Sequence, residues 1–185
     1  MGGGHVAHLT NQQLDEFVDQ LVRVFIDDGS SVRDDRFGRI RTVTVASRNG
    51  FGLVKTLPWD SSPPRSWIEV AGGGAWGCRP DPPLFRHLAT RALDFDWGGP
   101  FARVEGDGLV TFGTRLVVPS SIIAMENLND MFPFITGMVD ALASSARTLA
   151  EAVVPHAGGT VFHGRDVQDD SRLFQALVGP SQVGA

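Results

Sequence analysis

Ile40-Arg-Thr-Val-Thr-Val45, then Asn49-Gly50, then Phe51-Gly-Leu-Val-Lys-Thr-Leu57 is the stretch that decides the fold. Its first run is rich in β-branched residues, which suit a pleated, half-buried surface. Asn-Gly suits a type I′ hairpin turn, where both central residues need positive φ. The second run returns with similar character, so the pair reads as an antiparallel hairpin. Beyond it a loop from Pro58 to Arg65 with three prolines leads to Ser66-Trp-Ile-Glu-Val-Ala71, a third strand that makes the hairpin a meander. Gly72-Gly73-Gly74 breaks the strand pattern, and Ala75 to Cys78 reads as a short continuation or an edge piece.

On the N-terminal side, Thr10 and Gln13 form a capping box, and Leu9 with Leu14 takes the positions of a hydrophobic staple. Leu14, Phe17, Val18, Leu21, Val22 and Phe25 recur at helical spacing, with Asp15, Glu16, Asp19 and Arg23 on the other face. This predicts a helix over 11 to 28, followed by a polar loop from Ser30 to Gly38.

On the C-terminal side, Asp81 before Pro82 and Pro83 caps a short helix to about 93, because proline at the first helical position loses no hydrogen bond. Strands are expected at Phe101 to Glu105 and Leu109 to Val118, joined by Gly106-Asp107-Gly108. A last helical segment starts near Ser120 or Ser121 and ends at Pro155, kinking or restarting at Pro133. Along it Leu128, Phe132, Ile135, Val139, Leu142, Ala146, Leu149 and Val153 alternate spacings of four and three. That stripe is either the face packed on the sheet or a seam for self-association, with Leu128, Phe132, Ile135, Val139 and Leu142 as its candidate residues. The fold class is therefore α+β: an antiparallel sheet of about five strands with flanking helices, order α-β-β-β-α-β-β-α, and a long C-terminal helix. The expected organisation is a flexible N-terminus over 1–9, a single domain over 10–155 and a polar, flexible tail over 156–185. Within the tail Leu173, Phe174, Leu177 and Val178 recur one helical turn apart, as a segment able to dock into a groove of its own chain.

With 185 residues, 42% hydrophobic, the chain suits one domain with a sizeable core. A formal net charge of -5 argues against nucleic acid, whose binding shows as a basic face. No apolar run approaches the roughly 18 residues of a membrane span, and the N-terminus lacks the pattern of a secretory signal. Gly2 lacks the Ser or Thr at position six that myristoylation wants, since Val6 stands there. One cysteine, Cys78, permits no internal disulfide and fits a cytoplasmic setting. Of the sixteen lysines and arginines only Lys55 is a lysine, a skew that fits a GC-rich genome.

Chemistry is sparse. His5, His8, His87, His156 and His163 are scattered, without the converging ligands of a structural zinc site, so no metal or other cofactor is expected. Cys78 would need a base or a cation to become a nucleophile; Arg79 adjoins it and His87 lies downstream. No serine stands in a G-x-S-x-G elbow, and the glycines at 72–77 lack the ending of a phosphate loop. Asp94 with Asp96 and Asp169 with Asp170 read as solvated or capping residues. The aromatics are more informative. Trp59, Trp67, Trp76 and Trp97 cluster mid-chain with Phe51, Phe95, Phe101 and Phe112, either as core or as an amphipathic surface suited to peptides. Trp67, Trp76, Trp97 and Phe101 are the candidates for that surface.

This order of elements, with the passage Leu109-Val-Thr-Phe112 to Val118-Pro-Ser and the terminal helix carrying Leu142-Ala-Ser-Ser-Ala-Arg147, resembles the YbjN and type III secretion chaperone-like superfamily. The resemblance covers roughly residues 10 to 155. It departs from the pattern at the glycine triplet, the proline-rich loop and the tail. It implies a bacterial, non-enzymatic module that holds a segment of a client polypeptide or acts as an adaptor, and that forms a homodimer. The competing reading is a small-ligand carrier or small enzyme with an apolar pocket near Cys78 and Trp76.

Overall fold

The computed structural model describes residues 8–59, 65–91, 98–125 and 128–163. Helix α1 (Asn11–Asp27) begins at the expected capping box: the Thr10 amide donates to Gln13 Oε1 at 2.9 Å, and the Gln13 amide donates to Thr10 Oγ1 at 3.3 Å. Strands β1 (Ser31–Phe37), β2 (Ile40–Ser47), β3 (Gly50–Trp59) and β4 (Arg65–Cys78) follow, then helix α2 (Pro82–Arg91), strands β5 (Gly99–Val104) and β6 (Val110–Pro119), helices α3 (Ser121–Met125) and α4 (Leu128–Ala157), and strand β7 (Thr160–Val161). The sheet is antiparallel, in the order β1-β2-β3-β4-β6-β5, with β7 paired to β4 beyond the end of β3.

The expected fold class holds, but the sheet has seven strands rather than about five. Strand β1 occupies the segment read as a polar loop. Its Ser-Val-Arg-Asp-Asp-Arg-Phe lacks an apolar alternation because it is an edge strand whose charged side chains remain partly solvated. Strand β4 runs straight through the glycine triplet instead of ending there. The reason lies in α4, which crosses the sheet so closely that side chains at these positions have no room. A Cβ on Gly72 would run into the Leu142 carbonyl, and one on Gly52, its partner across β3, into Val139.

Helix α4 runs through Pro133, near its start, and past Pro155 to Ala157. Beyond it β7 pairs with Ala75 and Trp76, and Phe162 is buried, so the packed chain extends past the expected limit at Pro155. At the other end Leu9 is also buried, and His8 Nδ1 lies 2.9 Å from the Ser66 carbonyl oxygen.

Strand alternation assigns the two faces of the sheet. Val43, Val45, Val54, Ile68, Val70, Leu116 and Val118 join Phe17, Leu21, Ile123, Phe132, Ile135, Val139 and Leu142 in the main core, which places α1, α3 and α4 on one face. Leu84 and Leu88 of α2 pack with Phe112, Leu149 and Val153 on that same side. Phe132, Ile135, Val139 and Leu142 are thus 0–7% exposed, which corrects the self-association reading of the α4 stripe. Each buried side chain of this size contributes about 1.5–3 kcal/mol that a dimer seam would have to forgo. Of the Leu128 side chain, outside the described ones, nothing is assigned. Among the described residues no helix is long and apolar enough to cross a membrane.

Candidate functional site

The face turned away from the helices brings together most of the aromatic candidates. Across it, register builds three rows. The first is Asp35, Thr42, Lys55, Glu69 and Val117. The second is Arg33, Thr44, Leu53, Ala71, Arg115 and Gly99. The third is Ser31, Ala46, Phe51, Gly73, Gly113 and Phe101. Trp67 stands one step beyond the first row, where it meets His8 edge-on at 5.9 Å between ring centroids. At the opposite end the register shift after Gly73 turns Trp76 to this face, against Phe51 and Phe162.

The face curls. Phe37 of β1 and Phe101 of β5 both pack against the central pair Leu53 and Ala71. A flat sheet would hold these two strands five spacings apart, about 24 Å. Gly113 lies opposite Phe101 and leaves room for its ring: a Cβ there would stand 3.1 Å from Phe101 Cε1. The Arg115 guanidinium caps the same ring, 5.7 Å from its centroid.

Lys55 stands in the middle of this curled face and is 3% exposed. Burial pushes its ammonium below the ordinary lysine range. Glu69, directly across on β4, works against that shift through its charge, and Arg103 on β5 adds to it. Beside Lys55, the Thr42 side chain is wholly buried and its Oγ1 has no hydrogen-bond partner. An orphaned buried hydroxyl costs about 1–3 kcal/mol unless a further group reaches it.

Comparison with family models, with curated proteins and with solved structures finds no match. Function has to be argued from the geometry.

The other sequence candidates fall as follows. Trp67, Trp76 and Phe101 share the face, each half-buried. Trp97 lies outside the described residues. Cys78 is fully buried among Ala75, Leu84, Val110 and Phe112, and burial, with the Asp81 charge second, pushes its thiol up to about 11. It is held as a neutral thiol, the opposite of the thiolate that a nucleophile requires.

Among the described residues three cavities open elsewhere, and neither Cys78 nor Trp76 lines these three. One of about 840 Å³ lies between the end of α1 and the β2–β3 hairpin, with Asp28, Ser47, Asn49 and Asp140 in its wall. Two of about 250 and 240 Å³ share His87 in the cleft between α2 and α4. Among the described residues no three His, Cys, Asp or Glu side chains converge as metal ligands.

Lys55, Thr42, Leu53 and Ala71 escaped the sequence reading. Period-two alternation does put Phe51, Leu53 and Lys55 on one side of the third quoted run. The other side carries Gly52, Val54 and Thr56, free of charge but with less apolar bulk than Phe51 and Leu53, so the pattern alone does not say which side the helices cover.

Proposed function

We propose that this chain is a non-enzymatic, polypeptide-binding module whose binding surface is the curled sheet face bearing Trp67, Trp76 and Phe101. The observation that carries this reading is the convergence of half-buried aromatics on the one face against which no described helix packs. Tryptophan and phenylalanine supply large apolar contact with little rotamer freedom to lose. Alternate side chains of an extended client would meet the accessible parts of Trp67, Trp76 and Phe101. The resemblance to YbjN and type III secretion chaperone-like proteins points the same way. Homodimerisation belongs to that resemblance, and a cytoplasmic setting fits the lone cysteine, Cys78. A seam for the dimer would have to be sought away from the α4 stripe.

An array of extended peptides with apolar residues at alternate positions tests the reading. Hits should lose about tenfold or more in affinity for Phe101→Glu, and likewise for Trp67→Glu, since each change removes an aromatic anchor. Both variants should keep the native circular dichroism and melting profile. Unchanged affinity in two folded variants, or an array without hits, defeats the proposal.

A further inference from the structure

The cavity of about 840 Å³ has charges of both signs in its wall that are not paired with each other. Its lining comes from the end of α1, the start of β1, the β2–β3 hairpin and α4. Gly29, at a φ of 78°, turns the chain out of α1, and the Ser30 amide reaches back to the Phe25 carbonyl at 3.0 Å. The Ser47 hydroxyl donates to Asp140 Oδ1 at 3.3 Å and accepts the Asn49 amide at 3.1 Å, which ties the hairpin turn to α4. Hydrogen bonds thus hold the hollow open between ordered elements, and its volume falls in the range of small-molecule sites, about 300–1,000 Å³.

Other charged side chains of this chain find partners within it. Arg41 gathers Asp19 and Asp34, and Arg147 holds Glu151. Asp28, Arg48 and Asp140 all line this one cavity, yet among the described residues none of the three joins an ion pair. The end of α1 adds to the demand for a positive group. It carries Asp27 and Asp28 and no basic residue in its last turn, at the pole of the helix dipole that favours cations.

We infer that this cavity binds a zwitterionic small molecule of the amino-acid class, with its ammonium taken by Asp28 and Asp140 and its carboxylate by Arg48. A simple cation would leave the Arg48 guanidinium unanswered. A simple anion would face two carboxylates and the negative end of α1. A ligand bearing both charges satisfies all three side chains, and the planar guanidinium can meet a carboxylate with two parallel hydrogen bonds. Asp28 and Arg48 are exposed, so solvent screens each contact and affinity should be roughly micromolar to millimolar. This site is separate from the aromatics of the curled face and independent of client binding. The apolar tail residues Leu173, Phe174, Leu177 and Val178 lie outside the described residues and play no part in it.

Isothermal titration of the full-length protein with the common free amino acids tests the assignment, with putrescine and succinate as ligands of a single sign. At least one amino acid should bind. Its N-acetyl derivative and its methyl ester, each lacking one charge, should bind about tenfold or more weakly. Asp28→Asn and Arg48→Gln should each lose about tenfold or more for the parent amino acid, and both should keep the native circular dichroism because the two positions are exposed. Absence of heat for every amino acid up to about 10 mM overturns the inference. Putrescine or succinate binding as tightly as the best amino acid overturns it too, as does an affinity that neither substitution changes.

Discussion

The Thr114 hydroxyl donates a 2.8 Å hydrogen bond to the carbonyl oxygen of Leu142, tying the middle of β6 to the middle of α4. A side chain lending its proton to a carbonyl in mid-helix requires the helix to lie almost on the strands. Gly72, opposite Thr114 in the register, is what permits that approach.

Glycine substitutions should therefore rank by what a methyl group would strike. Gly72→Ala meets helix backbone, which cannot rotate away, and should cost about 3 kcal/mol or more or prevent folding. Gly52→Ala meets a Val139 methyl group, and only local repacking is needed, so about 1–3 kcal/mol is expected. Gly99→Ala on edge strand β5 meets nothing within 4 Å and should stay within about 0.5 kcal/mol of the parent. Urea unfolding of the three variants checks the order; an intact Gly72→Ala protein with parental stability would refute the close approach.

Arg41 ties β2 to α1 and β1. It is 5% exposed and donates from Nη2 to Asp19 and Asp34, both at 2.6 Å, and from Nη1 to the Asp15 carbonyl at 3.0 Å. Its bonds to Asp34 hold its charge more firmly than usual. Arg41→Met should cost about 2 kcal/mol, short of a fully buried pair because the three aspartates remain partly solvated. Arg41→Lys should recover little of this, since a point ammonium cannot reach three acceptors in a fixed fork. Melting temperatures in low and high salt provide the measurement, and full rescue by lysine would count against the geometry.

Lys55→Met should stabilise the fold near pH 7 by about 1 kcal/mol, because an apolar isostere removes a buried charge that Glu69 only partly offsets. The sign with pH follows from the lowered ammonium. The native state disfavours the proton that the unfolded chain binds up to its ordinary value of 10.5, so the penalty is full at neutral pH and fades as pH rises toward 10.5. The advantage of methionine should fade with it. A stability difference that is flat between pH 7 and 10, or reversed at pH 7, would show that Lys55 is fully paired.

Cys78 gives the opposite slope. Its thiol is held at about 11 against an ordinary 9.0, so above pH 9 the unfolded chain gains thiolate that the native state refuses, and stability falls between pH 9 and 11. Cys78→Ala should abolish that portion of the slope. At pH 8 about one native thiol in a thousand is ionised, and iodoacetamide should modify Cys78 only through unfolding. Modification that is rapid and independent of denaturant would place the thiol in contact with solvent.

What the sequence determined by itself is local. The capping box at Thr10 and Gln13 and the four-and-three spacing in α4 are set by contacts within a few residues, and they read correctly. The hairpin is also there, but Ser47 pairs with Gly50, so its two turn residues are Arg48 and Asn49 without positive φ, not Asn49-Gly50 in a type I′ turn. They sufficed for the α+β class and for naming Trp67, Trp76 and Phe101. Tertiary structure decided the rest. Edge strand β1 exists because β2 offers it hydrogen bonds, whatever its charged composition. The glycine triplet reads as a break in isolation and becomes the middle of a strand only when α4 lies across it. The choice of face was likewise non-local. Val54 and Leu53 are both apolar neighbours on one strand, and only the close packing of α4 over Gly52 and Gly72 sends the first into the core and leaves the second, with Lys55, on the face that we assign to binding.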